Sequence, residues 1–193
     1  MTLEDYNNRL NNVISDLQAG AHGAIMVRMA MTALTMIKDR VIEKGENAKG
    51  AKYKPYSTSA MLVGCKSMNQ SVCNKVFGKE KNKSLQWVTV NGKHLAVLPG
   101  GYKQFRELHG RQTNHVDFSF SNMMWNDINV ISNNAQHQQG VAVIGARQDI
   151  EKKKLAGNTA RRGDILDLSE KEIDELKQQY NLDVLQIFRT NGL

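Results

Sequence analysis

Aromatic side chains are scarce in this chain: five Phe, five Tyr and two Trp make up 6% of its 193 residues. Aliphatic and methionine side chains must therefore carry the packing, and rings for stacking bases are in thin supply. No apolar run approaches the roughly 20 residues needed to cross a bilayer, so no membrane contact is expected. The opening residues Thr2, Glu4, Asp5 and Asn7 do not read as a signal peptide, and the expected compartment is a cytoplasm. The only two cysteines, Cys65 and Cys73, are too few and too widely spaced for a zinc site, and the five histidines are scattered. In a reducing cytoplasm such a pair is expected as buried or incidental thiols, with no disulfide.

Catalytic signatures are missing as well. Gly100-Gly101 precedes no P-loop lysine-serine pair and fits turn chemistry better. There is no Gly-x-Ser-x-Gly, no His-Glu-x-x-His and no kinase set. Glu170, Glu172, Asp174 and Glu175 share one helical turn, where acidic side chains favour a helix N-terminus, and the run is read as a solvated face. His94, beside a hairpin turn, reads as a strand side chain. No nucleophile, base and orienting group can be named together. The expectation is a non-enzyme with no catalytic residue, no cofactor and no metal.

What the chain does have is size and a lopsided charge. Its length suffices for one domain with a real core. The net charge is +7, and Lys38–Arg111 holds 15 basic against 5 acidic residues, a surplus of ten. A basic stretch is the electrostatic footprint of a surface facing a polyanion or an acidic partner; its plainer reading is a lysine-rich solvated loop.

Periodicity predicts helix over residues 3–44. Leu3, Tyr6, Leu10, Val13, Ile14 and Leu17 form one amphipathic stripe, resumed by Ile25, Met26, Met29, Ala33, Met36, Ile37 and Val41. Gly20 and Gly23 interrupt it and predict a kink or a break. Residues 45–59, with Gly50 and Pro55, read as loop. Residues 57–83 read as a basic insertion with a short helix over 67–77. Leu85–Leu98 is a hairpin closed by Asn91-Gly92, a pair suited to the two positive-φ positions of a type I′ turn. Pro99-Gly100-Gly101 ends it, and Tyr102–Leu108 reads as a helical turn. Strands are expected at 115–120, 128–132, 141–144 and 183–188, and a helix at 147–155. Ser169 with Glu172 makes a capping box, with Leu168 and Ile173 as its staple, and starts the C-terminal helix. The predicted fold is α+β: a helical arm over 1–44, then an α+β domain over 45–193 with an antiparallel sheet, the Asn-Gly hairpin and a C-terminal helix.

One segment is more specific than the rest. Val116-Asp117-Phe118, then Ser121-Asn122-Met123-Met124, then Ile128-Asn129-Val130 follow a Tyr102-Lys103 loop, and Ile165-Leu166-Asp167-Leu168-Ser169-Glu170 enters the last helix. In this order the segments resemble the neck and tail-completion proteins of tailed bacteriophages. That family usually has glycine where this chain has Asn122, and asparagine also tolerates positive φ. The resemblance covers the last 90 residues or so and, loosely, the N-terminal helix; residues 57–83 have no counterpart in it.

The resemblance implies a structural virion protein, in the virion neck or tail and in the host cytoplasm during assembly. It implies a homo-oligomeric ring of six or twelve copies around the DNA channel, between the portal or connector and neighbouring neck or tail proteins. Lys49, Lys52, Lys54, Lys75, Lys79, Lys81 and Lys83 then become candidates for contact with packaged DNA or an acidic partner, through sequence-independent phosphate attraction. The alternative is a sequence-nonspecific nucleic-acid-binding protein.

Overall fold

The protein, seen in a computed structural model, is described over residues 2–68, 70–77, 85–119, 121–132 and 139–193. It is α+β, as the sequence predicts, with helices at both ends of the chain and small antiparallel sheets between. Two compact units divide it: Met1–Lys52 with Asp117–Leu193, and Tyr53–Val116. The expected insertion at 57–83 falls inside the second.

In the first unit, α1 (Leu3–Asp16) starts at a capping box: Asp5 N–H donates to the Thr2 hydroxyl and Thr2 N–H to the Asp5 carboxylate. The expected kink lies at Gly20, whose φ of +124° inside a wide turn over Leu17–Ala21 is open to glycine and not to a branched residue. Helix α2 (His22–Lys38) follows, extended by a second wide turn that stops at Gly45. Its buried residues Ile25, Ala30, Ala33, Leu34 and Ile37 keep helical spacing. The stripe methionines Met26, Met29 and Met36 are half-buried, and Met31 faces solvent.

Helix α2 packs against the C-terminal helix, labelled α7 below. Between them in sequence come α5 (Met123–Asp127), β4 (Ile128–Val130), β5 (Ile144–Ala146) and α6 (Asp149–Arg162). Strands β4 and β5 pair antiparallel with Ile128 opposite Ala146, and Ile131 N–H donates to the Val143 carbonyl one step further on. The predicted strands at 128–132 and 141–144 thus contract and shift by two or three residues.

The C-terminal helix α7 (Glu170–Thr190) begins at the expected capping box, with Ser169 and Glu172 bonded reciprocally. The strand expected at 183–188 is instead its last turns. Gln179, Tyr180, Asp183, Val184, Ile187 and Phe188 are the half-buried positions there, a helical spacing rather than an alternation. Arg28 of α2 holds Asp183 at 2.5 Å, and Asp183 also accepts from Gln179 at 2.9 Å.

The second unit is a three-stranded antiparallel sheet in the order β1 (Met61–Val63), β3 (Lys93–Leu98), β2 (Gln86–Val90). Asn91 and Gly92 take φ of 50° and 72°, the turn their dipeptide predicts. Helix α3 (Gln70–Phe77) buries Val72, Cys73 and Val76, and its Phe77 meets Trp87 of β2 edge-on at 4.9 Å. Helix α4 (Gly101–Leu108) packs on β3. Its buried Arg106 lies 4.3 Å over the Tyr56 ring and donates to the Gln112 carbonyl.

Cys65 and Cys73 are joined in a disulfide, with 5.1 Å between their Cα atoms, which corrects the expectation of separate thiols. The spacing in sequence looked idle; a 3₁₀ turn at Cys65–Ser67 doubles the chain back so that α3 brings Cys73 against it.

Candidate functional site

The described residues from Asp117 to Val130 fold back on themselves through side-chain and backbone bonds. The strand expected at 115–120 does not form over the described residues 115–119. Phe118 sits at φ +53°, Ser119 N–H donates to the Asp117 carboxylate at 2.8 Å, and Trp125 Nε1–H donates to the Asp117 carbonyl at 2.9 Å. Those local bonds occupy backbone groups that a ladder would need. Asp117, Ser119, Met124, Trp125 and Ile128 are buried, whereas Ser121, Asn122 and Met123 are exposed.

Asn122 caps α5 at φ +62°, ψ −4°, the left-handed region that glycine enters freely. Its side chain meets the Ser119 hydroxyl. Downstream, one Asp127 carboxylate oxygen accepts from Arg147 N–H at 2.7 Å and Gln148 N–H at 2.8 Å, which sets the entry into α6. Asn158 of α6 reaches the Met124 sulfur at 3.6 Å, and the Arg162 guanidinium lies 5.9 Å over the Phe118 ring.

This geometry gives a direct test of position 122. Asn122→Gly is expected to change stability by no more than about 1 kcal/mol, because relief of left-handed strain offsets the lost side-chain contact. Asn122→Val is expected to cost about 2–3 kcal/mol, since a branched residue has no relaxed left-handed conformer. Urea unfolding followed by Trp125 fluorescence in a Trp87→Phe background separates the two; equal losses would remove the conformational argument.

A second cluster ties α2 to the start of α7. Arg40 is buried and donates from Nε to Glu172 at 2.8 Å, and from its two terminal nitrogens to the Glu46 and Asp167 carbonyls at 3.1 and 2.5 Å. Glu172 also accepts from Ser169 N–H at 2.7 Å. Burial pushes the Glu172 carboxyl up, but the Arg40 guanidinium and the Ser169 N–H and hydroxyl outweigh it and hold it below the usual glutamate range. Glu172 therefore departs from the solvated face expected of the acidic run, although Glu170, Asp174 and Glu175 remain exposed. The capping box revealed Glu172; nothing near it in sequence announces Arg40.

Lys49 and Lys52 belong to the first unit, Lys54 and Lys75 to the second. Lys79, Lys81 and Lys83 lie outside the described residues, and Lys75 is a position on α3. Lys49, Lys52 and Lys54 are exposed, but Lys52 also braces the local fold. Its ammonium bridges Glu46 at 3.1 Å and donates to the Lys44 carbonyl. It thereby closes a tight turn whose Asn47 carboxamide accepts from Lys49 N–H and Ala51 N–H.

Among the described residues no group of three or more His, Cys, Asp or Glu is placed to hold a metal ion. A shallow cavity of about 260 Å³ beside the Gly20 kink is lined by Ala21, Ala24, Ile25 and Ile187 and edged by the Arg28–Asp183 pair. It offers apolar surface and a satisfied ion pair. No described helix is long and apolar enough to cross a membrane. No protein-family model, curated protein or solved structure matches the chain.

Proposed function

We propose that the protein is a structural component of a tailed-phage particle, one copy of a homo-oligomeric ring of six or twelve in the neck or upper tail. There it joins the head connector to the tail around the DNA channel. The observation that carries this reading is Asn122. The resemblance puts glycine at this position, and the residue adopts the left-handed conformation glycine supplies, at the turn into α5 and then β4.

Function on this reading is assembly rather than turnover, so it needs surfaces for neighbours. Leu3, Tyr6 and Ile14 along α1 are exposed, as are Ile131, Val141 and Val143 beside the β4–β5 pair. Among the described residues β4 and β5 form a sheet of two strands, which leaves backbone donors and acceptors along its edges for a neighbouring strand. Head-to-tail contacts of this kind close into a ring when the rotation per copy permits. Lys49, exposed in the first unit, is on this reading the described cation offered to packaged DNA or an acidic neighbour.

The main rival, a sequence-nonspecific nucleic-acid binder, needs rings for base stacking among its cations. Tyr53 and Tyr56 are buried instead, and Trp87 is engaged with Phe77. Imaging intact particles labelled with an antibody to this protein tests the proposal. Gold confined to the neck or upper tail is the expected result. Unlabelled particles, with the protein abundant in infected cytoplasm and retained on DNA in a salt-dependent way, would replace it with the rival.

A further inference from the structure

We propose that Cys65 and Cys73 form a thiol–disulfide latch that holds α3 in place, opened by exchange at Cys65, the exposed residue of the pair. The cross-link ties the turn that follows β1 to the middle of α3. Both elements are short. Strand β1 has three residues at a sheet edge and α3 has eight residues, well under the length at which a helix persists alone in water. Buried Val72 and Val76 and the Phe77–Trp87 ring contact also anchor α3.

The two sulfurs differ in access. Cys65 is exposed, whereas Cys73 keeps only 5% of its surface. An incoming thiolate therefore attacks Cys65 Sγ, and Cys73 departs as the thiolate. A second thiol of the same dithiol then releases Cys65. The protein gains two thiols, and the dithiol, having lost two electrons and two protons, becomes a cyclic disulfide. A low-molecular-weight disulfide reverses the sequence. The hairpin of β2 and β3 does not depend on the latch, because its turn and ladder are complete without it. What the redox state sets is the order of α3, the helix that carries Lys75.

No other cysteine exists to blur the readout. The protein, treated with oxidised glutathione and then denatured, is expected to take up no iodoacetamide and to carry no glutathione by intact mass, and after dithiothreitol to take up two equivalents. Amide exchange read by mass spectrometry should then rise on reduction by about 10²-fold across residues 70–77, the closure-entropy scale of so short a loop. Residues 86–98 should change little. Cys65→Ser, which changes the exposed residue of the pair and spares buried Cys73, should match the reduced profile and ignore dithiothreitol. Two alkylatable thiols in the oxidised protein would overturn the latch. So would equal exchange over 70–77 in both states, an equal acceleration over 86–98, or a Cys65→Ser protein that still responds to reductant.

Discussion

Arg40→Met is expected to destabilise the first unit by about 3–5 kcal/mol, because it strands the Glu172 carboxylate in a buried place without its counter-ion. Two backbone carbonyls, of Glu46 and Asp167, lose their donor in the same stroke. Tryptophan fluorescence offers a clean readout, since Trp125 belongs to the first unit and Trp87 to the second. Urea unfolding of Arg40→Met in a Trp87→Phe background should move the midpoint sharply. Adding Glu172→Gln should recover part of the loss, since the stranded charge is then gone.

The same pair sets a pH dependence whose sign can be worked out. In the folded protein the Glu172 carboxyl is held below its usual range. Its contribution is therefore fully present above the unfolded value and is lost as pH falls through the folded one. In Arg40→Met the guanidinium no longer lowers the carboxyl, so the folded value moves up toward the unfolded one while the Ser169 bonds remain. Over the acid range the stability lost on acidification should therefore be smaller in the variant than in the parent protein. Parallel stability–pH curves would mean that Glu172 is solvated and the pair has little effect.

Gly101→Ala should damage the second unit by about 2–5 kcal/mol, combining left-handed strain with overpacking. Gly101 opens α4 at φ +59°, and a Cβ placed there would overlap the Ser59 carbonyl oxygen and lie 2.9 Å from that of Ser57. These neighbours are backbone, so no rotamer change relieves the clash. Ser57 is also committed, its carbonyl accepting Lys103 N–H at 3.0 Å. Moving away would break the bond that seats the start of α4. Fluorescence of Trp87 in a Trp125→Phe background should report the loss, and Gly110→Ala serves as a control with positive φ but open space around it. Similar losses at both positions would assign the cost to φ alone and discard the steric part.

The features legible in the sequence depend on residues a few positions apart. Asn91-Gly92 specifies its turn because two adjacent residues tolerate positive φ. Ser169 and Glu172 specify a helix start because donors and acceptors three residues apart satisfy each other. Gly20 marks the kink, and Asn122 takes the left-handed conformation that asparagine tolerates. Of the candidate lysines, the chain alone could indicate surplus charge but not its disposition, which two separate units divide.

Tertiary structure decided the rest. Residues 183–188 hold branched apolar side chains that suit a strand, yet they extend α7 because α2 offers their helical face a partner and Arg28 holds Asp183. Asp117 turned an expected strand into a bend because its carbonyl meets the indole of Trp125, which a strand could not have brought there. Arg40 finds Glu172 across 132 positions, and Cys65 meets Cys73 only because a 3₁₀ turn folds the chain back. Turns and caps are fixed by a few dihedral angles and one or two hydrogen bonds, so neighbours in sequence suffice to encode them. Buried pairs and helix-to-helix contacts must first offset the entropy of closing long loops, and only the assembled core supplies that free energy.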